Sequence, residues 1–347
     1  MSSSRPMAWT ALLAASLAAA ALRAGGAAAD PGPQHLIKMA SLAPEGSTWA
    51  RALEAIDAEV RQQTGGAVGL RTYPGGVQGD DPVVLRKIRI GQLQGAGLTA
   101  QGLGVIAPDI MALEMPFLFG GYDEVDYVLQ QMDPFYQRAL EQSGFVLLGW
   151  VDVGFVHILS QQPVRSVDDI RGRKVWRLED EPITQAIFRR AGVTSVPLGI
   201  PDVLLGLQTN LVDVVYAPPS VAIVLQWFAH AKCITELPVN YTLGALLVSR
   251  QAFAALEPQQ QEALTTISRR RARELSLQTR QDNERAMQVM LDSGLELVSP
   301  GPGDLEAFQA LVAQTVPDLV GSAFSAEAQE LVQQHLRQFR QRRSGGQ

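Results

Sequence analysis

After an alanine-rich opening, short apolar runs alternate with stretches of helical periodicity along most of this chain. The run "LIKMASL" suits a buried strand, and "APEGS" turns it into a helix on which Trp49, Leu53, Ile56 and Val60 recur at helical spacing before Gly65-Gly66 ends it. "AVGLRTY" predicts a second strand, stopped by Pro74-Gly75-Gly76. Asp81-Pro82 opens a second helix, since aspartate suits the cap and proline the first turn, and "GAGLT" predicts a third strand. This βαβαβ order implies a mostly parallel sheet with helices on both faces.

A long loop is expected from Gln101 to Met115, then an amphipathic helix over about 123–142. Two strands, "FVLLGW" and "GFVHILS", are expected on either side of Asp152, where the chain crosses to a second lobe. There "KVWRL", "TSVPL", "VDVVYAP", "CITELP" and "YTLGALLVS" predict strands, and "EPITQAIFRRAG", "PDVLLGLQT" and "PSVAIVLQWFAHA" predict helices. The apolar runs are short and continuous, as in sheets covered on both faces. From Pro258 to about Gly294 the pattern is helical for over thirty residues, with Arg270 and Glu274 one turn apart. The boundaries that follow are a leader over 1–29, a first α/β lobe mainly over 30–152 and a second mainly over 153–250. Helices packing across both occupy 251–340, and a disordered tail 341–347.

The opening segment changes the picture of where the protein works. Arg5 precedes the apolar "MAWTALLAASLAAAAL", and Ala27-Ala28-Ala29 precede Asp30, which is the layout of a cleaved secretory signal. Its removal takes away two arginines and no acid, so a net charge of −6 becomes more negative still. Such an acidic protein is not built for nucleic acid. Cys233 is the only cysteine, which excludes an intramolecular disulfide. His35, His157, His230 and His335 are scattered, so neither a metal centre nor a cofactor is expected.

Two motifs mislead. "GAGLTA" fits a dinucleotide fingerprint, with Glu114 downstream where a ribose-binding acid would sit. However, the turn after the first strand carries "APEGS" in place of the glycines that fold requires. There is no G-x-S-x-G elbow and no nucleophile–base spacing, so an enzyme is not expected. The paired acids Asp80-Asp81 and Asp168-Asp169 read as helix caps and turn residues.

"KMASLAPEGSTWA", "MPFLF", "GFVHILSQQPVRSVDDIRGRKVW" and "VPLGIPDVLLGLQTNLVDVVYAPPS" together resemble the TRAP (tripartite ATP-independent periplasmic) solute-binding proteins over nearly all of the mature chain. The resemblance implies a two-lobed α/β periplasmic binding fold with a hinge and a long C-terminal helix spanning both lobes. It also implies a small-molecule solute held in the cleft, and TRAP membrane subunits, with an accessory periplasmic protein as a further partner. In familiar members, which take C4-dicarboxylates and other organic acids, an arginine on a G-x-K-x-R strand grips the carboxylate with its planar fork.

Here that strand reads Gly172-Arg173-Lys174-Val175-Trp176-Arg177, so the family arginine falls on Trp176. Arg177 is one residue later and on a strand points to the other face. Val156 stands in the family's G-F-R, followed by His157; Asp202-Val203-Leu204 stands for its Glu-Val-Tyr, and Ala217 and Pro218 for its polar pair. The expectation is that Trp176 faces the cleft as an apolar platform while Arg177 pairs with Glu179 or reaches the rim. Expected ligand residues are Glu45, Trp49, Gln101, His157, Trp176, Arg177, Tyr216 and Pro218, with only one of Tyr216 and Ala217 free to face the cleft. The solute is then a rather apolar one. The alternative is an organic acid met by Arg177, Arg71 or His157 in a different geometry, and more remote readings are an exported enzyme or an interaction scaffold.

Overall fold

The computed structural model describes residues 32–344; the expected leader lies outside them, as do residues 345–347. The first lobe is built on β1 (His35–Ser41), which pairs in parallel with β2 (Val68–Tyr73) on one side and β3 (Gly95–Thr99) on the other. Helix α1 (Thr48–Gln63) starts where the Ser47 hydroxyl accepts from the Ala50 amide, and α2 (Asp81–Arg89) where Asp80 does the same for Val83. The cap is thus Asp80, and Asp81, expected there, is the first helical residue. It is buried, and its carboxylate accepts from the Thr99 amide (2.9 Å), the Thr99 hydroxyl (2.7 Å) and the Gly102 amide (3.2 Å).

That contact explains a departure from the sequence reading. The expected loop after Gln101 is helix α3 (Ala100–Ile106) followed by a 3-10 turn over Pro108–Glu114. The Gly102 amide in the first turn of α3 is satisfied by an aspartate from α2, a partner that no local pattern reveals. Helix α4 (Tyr122–Gln142) then leads to β4, a single strand over Phe145–Ser160 where two were expected. Asp152–Gly154 is a bulge within it: the register against its partner slips there, and Gly154 takes φ +127°.

The second lobe contains α5 (Val167–Ile170), β5 (Val175–Arg177), α6 (Pro182–Ala191), β6 (Ser195–Pro197), α7 (Val203–Gln208), β7 (Val214–Ala217), α8 (Pro219–Val224) and β8 (Cys233–Thr235). The chain returns through β9 (Asn240–Ser249), which runs antiparallel to β3 and to β4 from Phe145 through Val156. From His157 to Ser160, β4 pairs instead with β7. One sheet is thus ordered β2-β1-β3-β9-β4, and the other continues β4-β7-β5-β6. The sheet is mixed, not mostly parallel, because β4 and β9 run as crossings between lobes. This is the expected two-lobed α/β fold.

After α9 (Arg250–Ala254), the 35-residue helix α10 (Pro258–Asp292) covers about 50 Å at 1.5 Å per residue. Leu264, Ile267 and Leu275 enter the first lobe's core beside Leu148 and Val151, while Met290 enters the second beside Trp176 and Trp227. Between them, Asn283 donates to the Val153 carbonyl (2.9 Å) and accepts from the Ser220 amide (2.9 Å) and hydroxyl (2.7 Å). Arg280 pairs with Asp152 (2.5 Å) and Asp126 (2.9 Å) and covers the Tyr122 ring. Strand β10 (Glu296–Val298) pairs with β8 and is followed by α11 (Asp304–Leu319) and α12 (Ala326–Ser344). The tail expected from residue 341 is helical to Ser344, and α12 is anchored by Arg340, which bonds Glu124 (2.8 Å) and the Leu118 carbonyl (3.0 Å).

Candidate ligand-binding site

The polar "RGRKVWRLEDEP" segment becomes a wall because β5 alternates. Val175 joins the apolar cluster on one face of the second sheet and Trp176 the cluster on the other. The indole is 3 % exposed, and its N–H donates to the Leu198 carbonyl at 3.0 Å. Tyr216 lies against the indole with ring centres 4.8 Å apart, and Trp227 meets it edge-on at 5.1 Å.

This aromatic group borders a cavity of about 230 Å³ between the lobes. Thr99, Gln101 and Phe117 line it from the first lobe, and Trp176, Leu178, Tyr216 and Pro218 from the carboxyl ends of β5 and β7. It continues past Ile170, Phe188 and Val193 to Phe308, Leu311 and Val312 on α11. Among the described residues, no lysine, arginine or histidine lines it; Glu114 and Glu181 are its charged residue types. Burial pushes the Glu114 carboxyl up to about 8, against the opposing Leu243 amide that donates to it at 3.1 Å. Burial also raises Glu181, although that carboxylate caps α6 by accepting from the Ile183 (2.9 Å) and Thr184 (2.8 Å) amides. Arg177 stands close enough to act electrostatically on Glu181 and Tyr216, two of the lining residues, without lining the cavity itself.

The expected residues divide. Gln101, Trp176, Tyr216 and Pro218 line the cavity. Trp49 lines a neighbouring one of about 180 Å³, and Thr99, Val153, Ile200 and Val221 border both. Glu45 is exposed in the turn before α1 and borders neither. His157 is buried and does not line the cavity; its Nδ1 lies 2.7 Å from the Thr235 carbonyl, and burial lowers its pKa. Arg177 does not line the cavity and does not pair with Glu179; its guanidinium donates to the Leu178 carbonyl (3.0 Å). Arg71 is exposed on β2, over the Tyr73 ring. Tyr216 and Ala217 both border the cavity, contrary to the strict alternation expected, because the cavity wraps over the strand end.

Across the mouth, the Gln101 side chain donates to the Glu179 carbonyl (2.7 Å), so the lobes touch. Sequence reasoning missed Glu181, whose place before Pro182 reads as a helix cap. It dismissed Glu114 with the dinucleotide motif, and no sequence signal points to Phe308.

Residues 39–321 match the family described as bacterial extracellular solute-binding protein, family 7. The chain belongs to this family. It is 22 % identical over 262 residues to a 2,3-diketo-L-gulonate-binding periplasmic protein of Escherichia coli, covering 75 % of this chain and 79 % of that one. It is 25 % identical over 236 residues to the C4-dicarboxylate-binding periplasmic protein of Rhodobacter capsulatus, covering 67 % and 70 %. Among solved structures, a sugar-acid-binding protein from Advenella mimigardefordensis in complex with galactonate superposes with a TM-score of 0.82 at 19 % identity, over 88 % of this chain and 99 % of that one. A TRAP periplasmic protein from Sulfitobacter with bound β-D-galacturonate superposes with a TM-score of 0.79 at 21 % identity, over 86 % and 98 %. TRAP solute-binding proteins are extracytoplasmic, bind small solutes and deliver them to membrane subunits. Among the described residues, no helix is long and apolar enough to cross a membrane.

Proposed function

We propose that this protein captures a small, predominantly apolar solute between its lobes and hands it to TRAP membrane subunits. One observation carries the reading: aromatic and aliphatic side chains line the cavity with no cation among them, and Trp176 stands where the resemblance expects a carboxylate-gripping arginine. Burying a carboxylate there without a partner costs several kcal/mol, at roughly the scale of a buried unpaired ion. Glu114 and Glu181 add repulsion whenever they ionise.

The second reading is an organic acid, and on the comparisons alone it is the better supported. The ligands named for the solved relatives are acids: galactonate, galacturonate, glucuronate and orotic acid. It requires Arg177 to turn from the Leu178 carbonyl into the cavity, or Arg71 or His157 to act from outside the present lining. Mass spectrometry of whatever is released when the purified protein is denatured decides between them. An uncharged, hydrocarbon-rich molecule is expected, with affinity nearly independent of salt. A sugar acid or dicarboxylate whose binding weakens with salt and is abolished by Arg177→Ala would overturn the apolar reading. N-terminal sequencing of exported protein tests cleavage near Asp30, and affinity capture from periplasm tests the accessory partner.

A further inference from the structure

The cavity does not end at the cleft. Ile158, Ile170, Phe188, Val193 and Leu311 line it and also belong to, or pack against, the apolar cluster on the far face of the second sheet. Trp176 and Ala217 line it from the cluster on the near face. The space therefore bends around the carboxyl ends of β5 and β7 and enters what would otherwise be the second lobe's own core, beneath α11. Protein cores are close-packed, and an empty apolar void forfeits dispersion contacts on every wall. The deep walls are aliphatic and aromatic, and the polar group beside them is the buried Tyr216 hydroxyl, which has no hydrogen-bond partner among the described residues. Walls of this kind make their most extensive contact with hydrocarbon.

We infer that the solute is a straight-chain amphiphile whose hydrocarbon end threads around β5 and β7 into the second lobe under α11 and whose uncharged polar end stays in the cleft. A flexible chain follows a bend that a rigid ring system does not. At the cleft end the neutral groups of Thr99, Gln101 and Asn240 are at hand, while Glu114 and Glu181 supply no positive charge for an anionic head. This places a hydroxyl or primary amide, not a carboxylate, at the polar end. The inference rests on the apolar reading above and extends it to chain shape, length and head group.

The test is calorimetry and thermal shift on the mature protein with a homologous series of straight-chain 1-alkanols. Affinity should rise roughly fourfold per methylene, up to a defined chain length at which the gain stops. Leu311→Trp, which fills the deep end from α11, should move that break to shorter chains, with the loss concentrated on the longest members. Ala191→Leu narrows the same end from α6, so the result does not depend on one variant folding. A carboxylate of equal chain length should bind at least about tenfold more weakly at neutral pH. Compact apolar alcohols that bind as well as chains, or a break that neither variant moves, would sink the chain inference and leave the apolar reading standing. Binding of sugar acids with no response to any alkanol would remove the apolar reading itself.

Discussion

Trp176 shows how one residue can be both core and wall. Its ring is buried with Trp227 and Tyr216, its N–H is satisfied by the Leu198 carbonyl, and one side borders the cavity. Trp176→Ala is therefore expected to destabilise the fold by about 3–5 kcal/mol, as large-to-small core changes do. Arg177→Ala, which removes a half-buried cation bonded to a neighbouring carbonyl, should cost less than about 1 kcal/mol. Urea unfolding of both variants gives the comparison, and the reverse order would show that the two side chains have been assigned to the wrong faces. Glu114 provides the second expectation at this scale. Its carboxyl titrates near about 8 when folded but at about 4.3 in an unfolded chain. Between those values the folded state holds a proton that the unfolded state has released, so stability should fall as pH rises from 5 to 8. Asp81, raised to about 6, and Glu181, also raised, add to this fall, while His157, lowered by burial, opposes it below its ordinary range; Glu59, Glu124 and Asp169, whose pKa values are lowered, oppose it only below the unfolded carboxylate range. Melting temperatures across this window should decline, and Glu114→Gln should flatten the decline; a rise towards pH 8 would show that Glu114 ionises freely.

The bulge in β4 matters most among the elements. Gly154 sits at φ +127°, and a Cβ there would lie 2.2 Å from the Asn283 amide nitrogen. Gly154→Ala should thus combine backbone strain with displacement of the Asn283 bridge, at a cost of about 1–3 kcal/mol. Chemical denaturation that finds the alanine variant as stable as the parent would mean the crossing tolerates other conformations. The same bulge marks where sequence reasoning lost resolution. "WVDVGF" has the polar and glycine content of a turn, and only pairing with β9 shows that the strand runs through it. Local signals performed well where the physics was local: Asp80 at α2, Pro258 at the start of α10 and the apolar strand runs. They failed at α3, capped by Asp81 from another element, and at the deep end of the cavity, where Phe308 and Leu311 come from a helix more than a hundred residues beyond Trp176. The place of Trp176 on β5 beside a cavity could be anticipated because a family pattern fixed its neighbours. The acids beside the cavity could not be, because burial depends on the finished fold.

At the scale of the molecule, the lobes meet through the Gln101–Glu179 bond over the cavity mouth. Losing it should shift the balance towards an open form by about 1 kcal/mol, the usual net worth of one hydrogen bond, so Gln101→Ala should bind solute roughly fivefold more weakly. Small-angle scattering should then show a larger radius of gyration for the unliganded variant than for the liganded parent. An unchanged scattering curve would mean that the mouth is held by other contacts. The route of α10 carries a separate consequence. Because this helix, together with β4 and β9, supplies side chains or pairing to both lobes, neither lobe owns a complete set of core residues. Melting one would strip the other of part of its interior, so the lobes cannot unfold one at a time. Scanning calorimetry should record a single transition with equal calorimetric and van't Hoff enthalpies, as for a much smaller one-core protein. A solute bound on one side of the cleft would accordingly raise the melting point of the whole chain.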